Sequence, residues 1–306
     1  MSAIDYSDLG APIRGPRALT DDWSRFWHLT YNIARNEFKL RFFGSVLGYL
    51  WQLMRPLLLF GVLYVFFTKI AHVNGQTGVG DEHYGAQLLG SIVLFTFFAE
   101  AAGGSVRSVV DRENLVRKIQ FPRLVIPLSV VLLAMFNLGL NLIVVLIFAL
   151  IEGVHPMLSW LELPLIVGML AVLATGVAML LSALFVQFRD IQPIWDVLQQ
   201  ILFYSSPVII SITTVREKLS YPKHFFADVE RFSHVSHLWV HLYMLNPLAV
   251  IFQQFRHAMV TPATPSAGQA IGSWGGLVGP LAIVVVVLAL GFWVFNRSAP
   301  LIAENL

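Results

Sequence analysis

The sequence has no cysteine among its 306 residues, so no disulfide staples it and no thiolate can hold a metal. Charge is scarce too. Asp, Glu, Lys and Arg make up 12% of the chain, where a soluble domain carries about 25%. The formal net charge of +2 is too small to point to a nucleic-acid partner. Several catalytic devices are missing as well. No GxxxxGK[ST] loop presents backbone amides and a lysine to a nucleotide phosphate tail, so the chain cannot power itself with ATP by that device. Without a GxSxG elbow, an HExxH helix or a paired-carboxylate cluster, a membrane hydrolase would have neither nucleophile nor metal. The first 22 residues are polar and contain Pro and Gly rather than an apolar core beside a cleavage site, which predicts no removable signal peptide and leaves insertion to the first apolar run.

What the chain has is apolar length: 57% hydrophobic residues and a mean hydropathy of +0.70. Six stretches are long enough to cross a hydrocarbon core of about 30 Å, at 46–69, 85–104, 124–151, 163–186, 192–211 and 277–297. The third and fourth carry no charged residue. Backbone in lipid must satisfy its own hydrogen bonds and these runs exceed strand length, so the expected fold is an all-α membrane protein with six transmembrane helices. Arg14, Arg17, Arg25, Arg35, Lys39 and Arg41 precede the first span, and Arg107, Arg112, Arg117, Lys118 and Arg123 lie between the second and third. The segments 70–84 and 152–162 hold neither Lys nor Arg. This asymmetry predicts a cytoplasmic N-terminus and second loop; an even number of spans returns the C-terminus to the same side. The expected organisation is a cytoplasmic region at 1–45 and a six-helix transmembrane domain at 46–306, with an external segment at 212–276.

Before the first span, Trp23, Phe26, Trp27, Tyr31, Ala34 and Phe38 recur near the helical period, with Arg25, Arg35 and Lys39 between them. This pattern predicts an amphipathic interfacial helix capped near Thr20 or Asp21. In the second loop, acids lead and bases follow over 111–120, so Asp111 and Glu113 suit the start of a short helix and Arg117 and Lys118 its end. A tight turn is expected at Arg189 and Asp190. Outside, Asn246 and Pro247 form a cap and first-turn pair, after which Leu248, Ile251, Phe252, Phe255 and Met259 share a face. That run is too short to span, so a re-entrant or surface-lying helix is expected there, with a second such helix over 230–245 and a Pro, Gly and Ser-rich linker at 261–276.

Arg55, Glu100 and Asp196 lie inside apolar spans, toward their cytoplasmic ends, where an ionisable group needs a partner or water. No relay at mid-membrane joins them, which argues against a proton-coupled transporter. His234, His237 and His241 with Glu230 share one helical face, a spacing that can gather imidazoles on zinc or copper, although amphipathic surface histidines show the same pattern. Aromatics crowd the first and fifth spans, where they either pack or line a passage that stacks sugar rings. Ala174, Ala178 and Ser182 make a small-residue ridge suited to close helix packing.

Several motifs converge on one family. RNEFKLRFFGSVLGYLWQLMRPLL at 35–58, NLVRKIQFPRLVIPL at 114–128, FRDI at 188–191, SSPV at 205–208 and LNPLAVIFQQFR at 245–256 resemble the permease subunits of polysaccharide-exporting ABC transporters. The resemblance covers nearly the whole chain apart from the first 20 residues and the external linkers. It implies a second copy alongside and two separate ATP-binding subunits below, which would hold ATP and Mg; the chain itself is then no enzyme and carries no cofactor or metal. It implies ATPase contacts at Arg35 and Lys39 on the N-terminal helix and at Asp111, Arg112, Glu113, Asn114, Arg117 and Lys118 in the second loop. It places a passage between the first and fifth spans, bringing Tyr49, Trp51, Phe60 and Tyr64, with Trp195, Phe203 and Tyr204, to the wall. Asn246, Pro247, Phe252, Phe255 and Arg256 would form an external gate.

Family substrates are polymers on a polyprenyl diphosphate, such as O-antigen, capsule, teichoic acid or galactan, moved across the bacterial plasma membrane. A polymer longer than the bilayer does not fit one alternating-access cavity, so a continuous channel with stepwise ATP-driven movement is the expected mechanism. Arg14, Arg17, Arg25 and Arg35 suit either the lipid diphosphate or anionic headgroups. A membrane-embedded glycan or lipid enzyme and a permease for small molecules or drugs remain the alternatives. A neighbouring gene for an ATPase, beside glycosyltransferases, would separate all three.

Overall fold

The computed structural model describes residues 23–42, 48–70, 83–114, 121–209, 242–260, 264–272 and 274–299. Among these every regular element is helical. In chain order they are α1 (Trp23–Phe42), α2 (Gly48–Val65) with a π-helical turn (Phe66–Ile70), α3 (Tyr84–Val106), the short α4 (Ser108–Asp111) and α5 (Val125–Ile151). A 3-10 turn (Leu158–Glu162) leads into α6 (Leu163–Gln187), followed by α7 (Ile191–Ser205). Then come α8 (Pro247–Met259), α9 (Ala267–Ile271), a 3-10 turn (Trp274–Leu277) and α10 (Val278–Ser298).

Five of these segments are long and apolar enough to cross a membrane: Leu50–Lys69, Tyr84–Val106, Val125–Ile151, Leu158–Gln187 and Gly275–Ser298. The remaining expected span is α7, whose 15 residues rise only about 22 Å. Its end has a local cause. Ser206 takes an extended conformation (φ −96°, ψ 155°), as a residue before proline prefers, and Pro207 has no amide proton to extend the helix.

Helix α3 is the axis of the bundle. It is buried along most of its length and packs against α2, α5, α6, α7 and α8. Its first turn is held by Glu152, at the end of α5, whose Oε2 accepts from the Ala86 amide at 2.8 Å, a carboxylate at the positive end of a helix. Gly85 leaves the room for that carboxylate, since a Cβ there would collide with it. The most extensive helix pair is α6 with α10. There Gly176 and Gly291 bring the two backbones into contact: a Cβ on Gly176 would lie 2.8 Å from the Leu288 backbone. Ala174, Ala178 and Ser182 are fully buried, but Gly176, spaced onto the other side of α6, makes this closest approach.

Helix α1 runs along α5. Phe26, Thr30 and Ala34 are buried beneath it, and Phe26 joins Val109, Phe121, Leu124, Val125 and Ile126 in a small core. Trp23, Trp27 and Tyr31 are exposed along one flank, and Arg25, Arg35 and Lys39 are exposed on another. The expected cap at Thr20 or Asp21 lies outside the described residues. By contrast, α2 and α10 are only one-sixth buried over their spanning windows (17% each) and present long apolar faces outward.

Helix α8 sits at the end of the bundle opposite α1 and is enclosed rather than surface-lying. Asn246 caps it, its Oδ1 accepting from the Leu248 amide at 3.0 Å. The polar side chains that suggested a solvent face are satisfied internally. Gln253 donates to the Pro265 carbonyl (2.7 Å), His257 Nδ1 lies 2.7 Å from the Thr264 carbonyl, and Gln254 donates to Glu162 (2.7 Å). Ser159 and Trp160 donate to the Ala258 and Met259 carbonyls at 2.7 and 3.0 Å, satisfying the orphan end of the helix.

Candidate functional site

Two adjoining cavities occupy the α1 side of the bundle. The larger, about 800 Å³, lies among the end of α1, α2, α3, α4 and α5. The smaller, about 500 Å³, lies among α2, α3 and α7. Arg55 and Glu100 line both and so mark the place where the two meet.

Glu100 is the fixed point of this site. Gln52 Nε2, from α2, donates to its Oε1 at 2.9 Å, and Asn137 Nδ2, from α5, donates to its Oε2 at 2.9 Å. Three helices are thereby tied at one carboxylate, and both amides are buried. The charge in an apolar span is tolerated because it is hydrogen-bonded on both oxygens and faces the cavities. Asn137 lines the larger cavity, and its Oδ1 is buried with no hydrogen-bond partner among the described residues. Arg55, three residues after Gln52 and so on the same side of α2, is exposed to both cavities. The spacing of charges in the sequence singled out Arg55 and Glu100 but not Gln52 or Asn137. The available signal was an amide at matching depth in two apolar spans.

The larger cavity is electrically balanced. Arg41, Arg55 and Arg112 stand against Glu37, Glu100 and Asp111. Glu37 forms an ion pair with Arg112, which also donates to Ser129 Oγ at 3.2 Å. Asp111 lies 3.6 Å from Arg107, both well exposed. Asp111 therefore closes α4 instead of opening the second-loop helix, which resumes at Glu113 and Asn114. Arg117 and Lys118 lie outside the described residues. Nearby, Arg123 is only 3% exposed; burial lowers its pKa, and its Nε and Nη1 have no partner among the described residues.

The aromatic residues of the first and fifth expected spans separate by environment. Trp51 lines the larger cavity and is 60% exposed, and Phe203 and Tyr204 line the smaller, with Tyr204 75% exposed. Phe60 is packed edge-on to Phe148 in the core, and Tyr64 lies tilted against Phe60 and stacked on Tyr84. Trp195 is buried beside Phe98, its Nε1 facing the space over Gly103. Tyr49 falls in α2, but its side chain lies outside the description. Asp196, on the exposed side of α7, accepts from Gln192 at 3.1 Å.

At the far end, Phe252 and Phe255 are fully buried, the Phe255 ring lying against the bare Cα of Gly90. Arg256 is 1% exposed and donates to the Val208 carbonyl at 2.9 Å. Burial raises the Tyr243 phenol above its ordinary pKa, with the Arg256 charge opposing. Asn246 also donates to Ser206 Oγ at 3.1 Å, so the start of α8 is tied to the end of α7. Pro247 holds the first helical position. Glu230, His234, His237 and His241 lie outside the described residues.

A multi-pass bundle of apolar helices, its loosely held α2 flanked by polar cavities, has the build of a transporter's membrane component. Comparison with known families agrees: residues 28–222 match the family described as ABC-2 type transporter, and the chain belongs to that family. It is 30% identical over 190 residues to an O-antigen export system permease protein RfbA of Klebsiella pneumoniae, a match covering 62% of this chain and 71% of the relative. A second such protein of Klebsiella pneumoniae is 29% identical and one of Myxococcus xanthus 27%, over the same shares.

Proposed function

We propose that this chain is the membrane permease of an ABC exporter that moves a polyprenyl-diphosphate-linked polysaccharide across the bacterial plasma membrane. The observation that carries the reading is its similarity, over 190 residues, to O-antigen export permeases. Two copies form the channel and a separate pair of ATP-binding subunits drives it. In this reading α7, with the residues that follow it, supplies the fifth of six crossings, and both termini are cytoplasmic. The exposed faces of α2 and α7, with Trp51, Phe203 and Tyr204 beside the cavities, support a half-channel completed by the second copy.

The ATPase surface comprises Arg35 and Lys39 on α1, lying in the interface as an amphipathic helix, together with Asp111, Arg112, Glu113 and Asn114 and the following Arg117 and Lys118. The Glu37–Arg112 ion pair supports treating these two elements as one unit. The gate role rests on α8 as a body, moved through its ties to α7, because Phe252, Phe255 and Arg256 are anchors in the core. Depleting the chain is expected to leave carrier-linked glycan accumulating inside the cell. Surface glycan at its normal level, without internal accumulation, would overturn the reading.

A further inference from the structure

Helix α2 changes character at Pro56. After it, Leu57, Phe60, Leu63 and Tyr64 pack into the main core, Phe60 against Phe148 and Tyr64 against Tyr84. Before it, none of residues 48–55 joins an apolar core cluster among the described residues. Gly48, Trp51, Gln52 and Arg55 instead line the larger cavity, and Arg55 lines the smaller one too, so open space borders this stretch toward both α5 and α7.

The proline is also where the helix is weakest. It sits inside α2 and has no amide proton for the Gln52 carbonyl four residues earlier, so one bond of the ladder is missing and the helix bends there most readily. Among the described residues, one side-chain hydrogen bond restrains residues 48–55: Gln52 Nε2 donates to Glu100 Oε1 at 2.9 Å. Glu100 is a fixed anchor for it, since Asn137 holds the other carboxylate oxygen from α5. Arg55, one residue before the proline and lining the same cavities, offers that carboxylate a second donor when Gln52 withdraws. Release therefore does not strand a charge at bilayer depth. The far end of the stretch follows α1 by the short connection 43–47, and α1 is tied by the Glu37–Arg112 pair to the turn after α4. A displacement of that unit is delivered to residue 48, the end of the stretch farthest from Pro56.

From this arrangement we infer that residues 48–55 are a hinged arm, with Pro56 as its pivot and the Gln52–Glu100 hydrogen bond as its latch, and that its swing sets the width of the opening between the two cavities. Gln52 is a positioning residue in this device, and Glu100 is its stop. The use of the arm in transport rests on the export reading above, in which movement of the ATPase surface passes through α1 to the passage. The hinge and latch themselves rest only on the geometry.

Double electron–electron resonance on the full-length chain in lipid nanodiscs tests them, because introduced cysteines are the only thiols. A label at Leu290→Cys on α10 is paired with Leu50→Cys before the pivot or with Leu58→Cys after it, all three positions being about half exposed. Labelled chains are diluted with unlabelled ones so that only distances within one chain are read. Leu50 lies about 9 Å along the helix from Pro56, so a swing of about 20° moves it about 3 Å. Gln52→Ala is expected to broaden the distances from residue 50 by about that much and to leave those from residue 58 unchanged. Gln52→Asn, one methylene shorter, should broaden them in the same way, and melting curves verify that each variant folds. Adding Pro56→Ala, which restores the missing backbone donor, should narrow the distances from residue 50 again. No broadening in either Gln52 variant would overturn the latch. Equal broadening at residue 58, or no narrowing with Pro56→Ala, would overturn the pivot. If carrier-linked glycan still accumulates on depletion, export survives the loss of the arm; if none accumulates, export falls while the distances still decide the hinge.

Discussion

At Gly291 a hydrogen in place of a side chain lets α10 lie on α6. A Cβ there would run into the Gly176 carbonyl, which is backbone and cannot rotate away. Gly291→Ala is therefore expected to destabilise the chain by on the order of 2 kcal/mol, read as a lowered melting temperature in detergent. Gly139 is the matched control. It sits in a long apolar helix with nothing within 4 Å of a Cβ, so Gly139→Ala should be neutral or stabilising by up to about 1 kcal/mol. Equal losses from both would show that helix packing, not intrinsic propensity, is misassigned here. The sequence pattern found the small residues Ala174, Ala178 and Ser182 but not this contact, because periodicity locates a face and not the helix that will meet it. The same limit hid Gln52 and Asn137. Arg55 and Glu100 are visible as charges in apolar runs, whereas their amide neighbours become a site only when three helices converge.

Among the elements, five of the six expected spans appear at nearly their expected bounds, because a long uncharged run has one stable form in lipid. The exceptions have local causes: Pro207 ends α7 early, and of the two readings open for α8, re-entrant or surface-lying, the second fails because Gln253 and Arg256 donate to backbone carbonyls supplied by other segments. Helix α1 shows how a tertiary link acts at this scale. Its end is tied by the Glu37–Arg112 pair to the turn after α4 and, through Ser129, to α5. The pair is partly buried, with side chains 33% and 17% exposed, so after solvent screening it contributes on the order of 1 kcal/mol. Arg112→Ala should accordingly speed amide hydrogen exchange over 35–42 by about fivefold, while leaving exchange in α6 unchanged. Unaltered exchange at the end of α1 would mean that its packing on α5 alone holds it.

For the whole molecule, two of the outward apolar faces differ in what borders them. The α10 face, with Val278, Leu281, Val285, Val286 and Leu290, is apolar throughout and suits lipid. The α2 and α7 face is also apolar at Leu58, Val62, Ile194 and Ile201, but it borders cavities lined by Arg55, Glu100, Gln199 and Gln200. Polar groups at bilayer depth need water or protein, so in the two-copy channel proposed above this is the face assigned to the second copy, which would enclose the cavities in a shared passage. The lack of native cysteine makes the assignment directly measurable, since any disulfide must arise from an introduced residue. Val62→Cys and Ile201→Cys, at positions 68% and 56% exposed, are expected to give disulfide-linked dimers under mild oxidation in native membranes, and Val285→Cys, 64% exposed, is expected to remain monomeric. Equal exposure makes the comparison one of partner rather than accessibility. Cross-linking through Val285→Cys alone would put the second copy on α10, leave the cavities facing lipid, and remove the physical basis for a channel between α2 and α7.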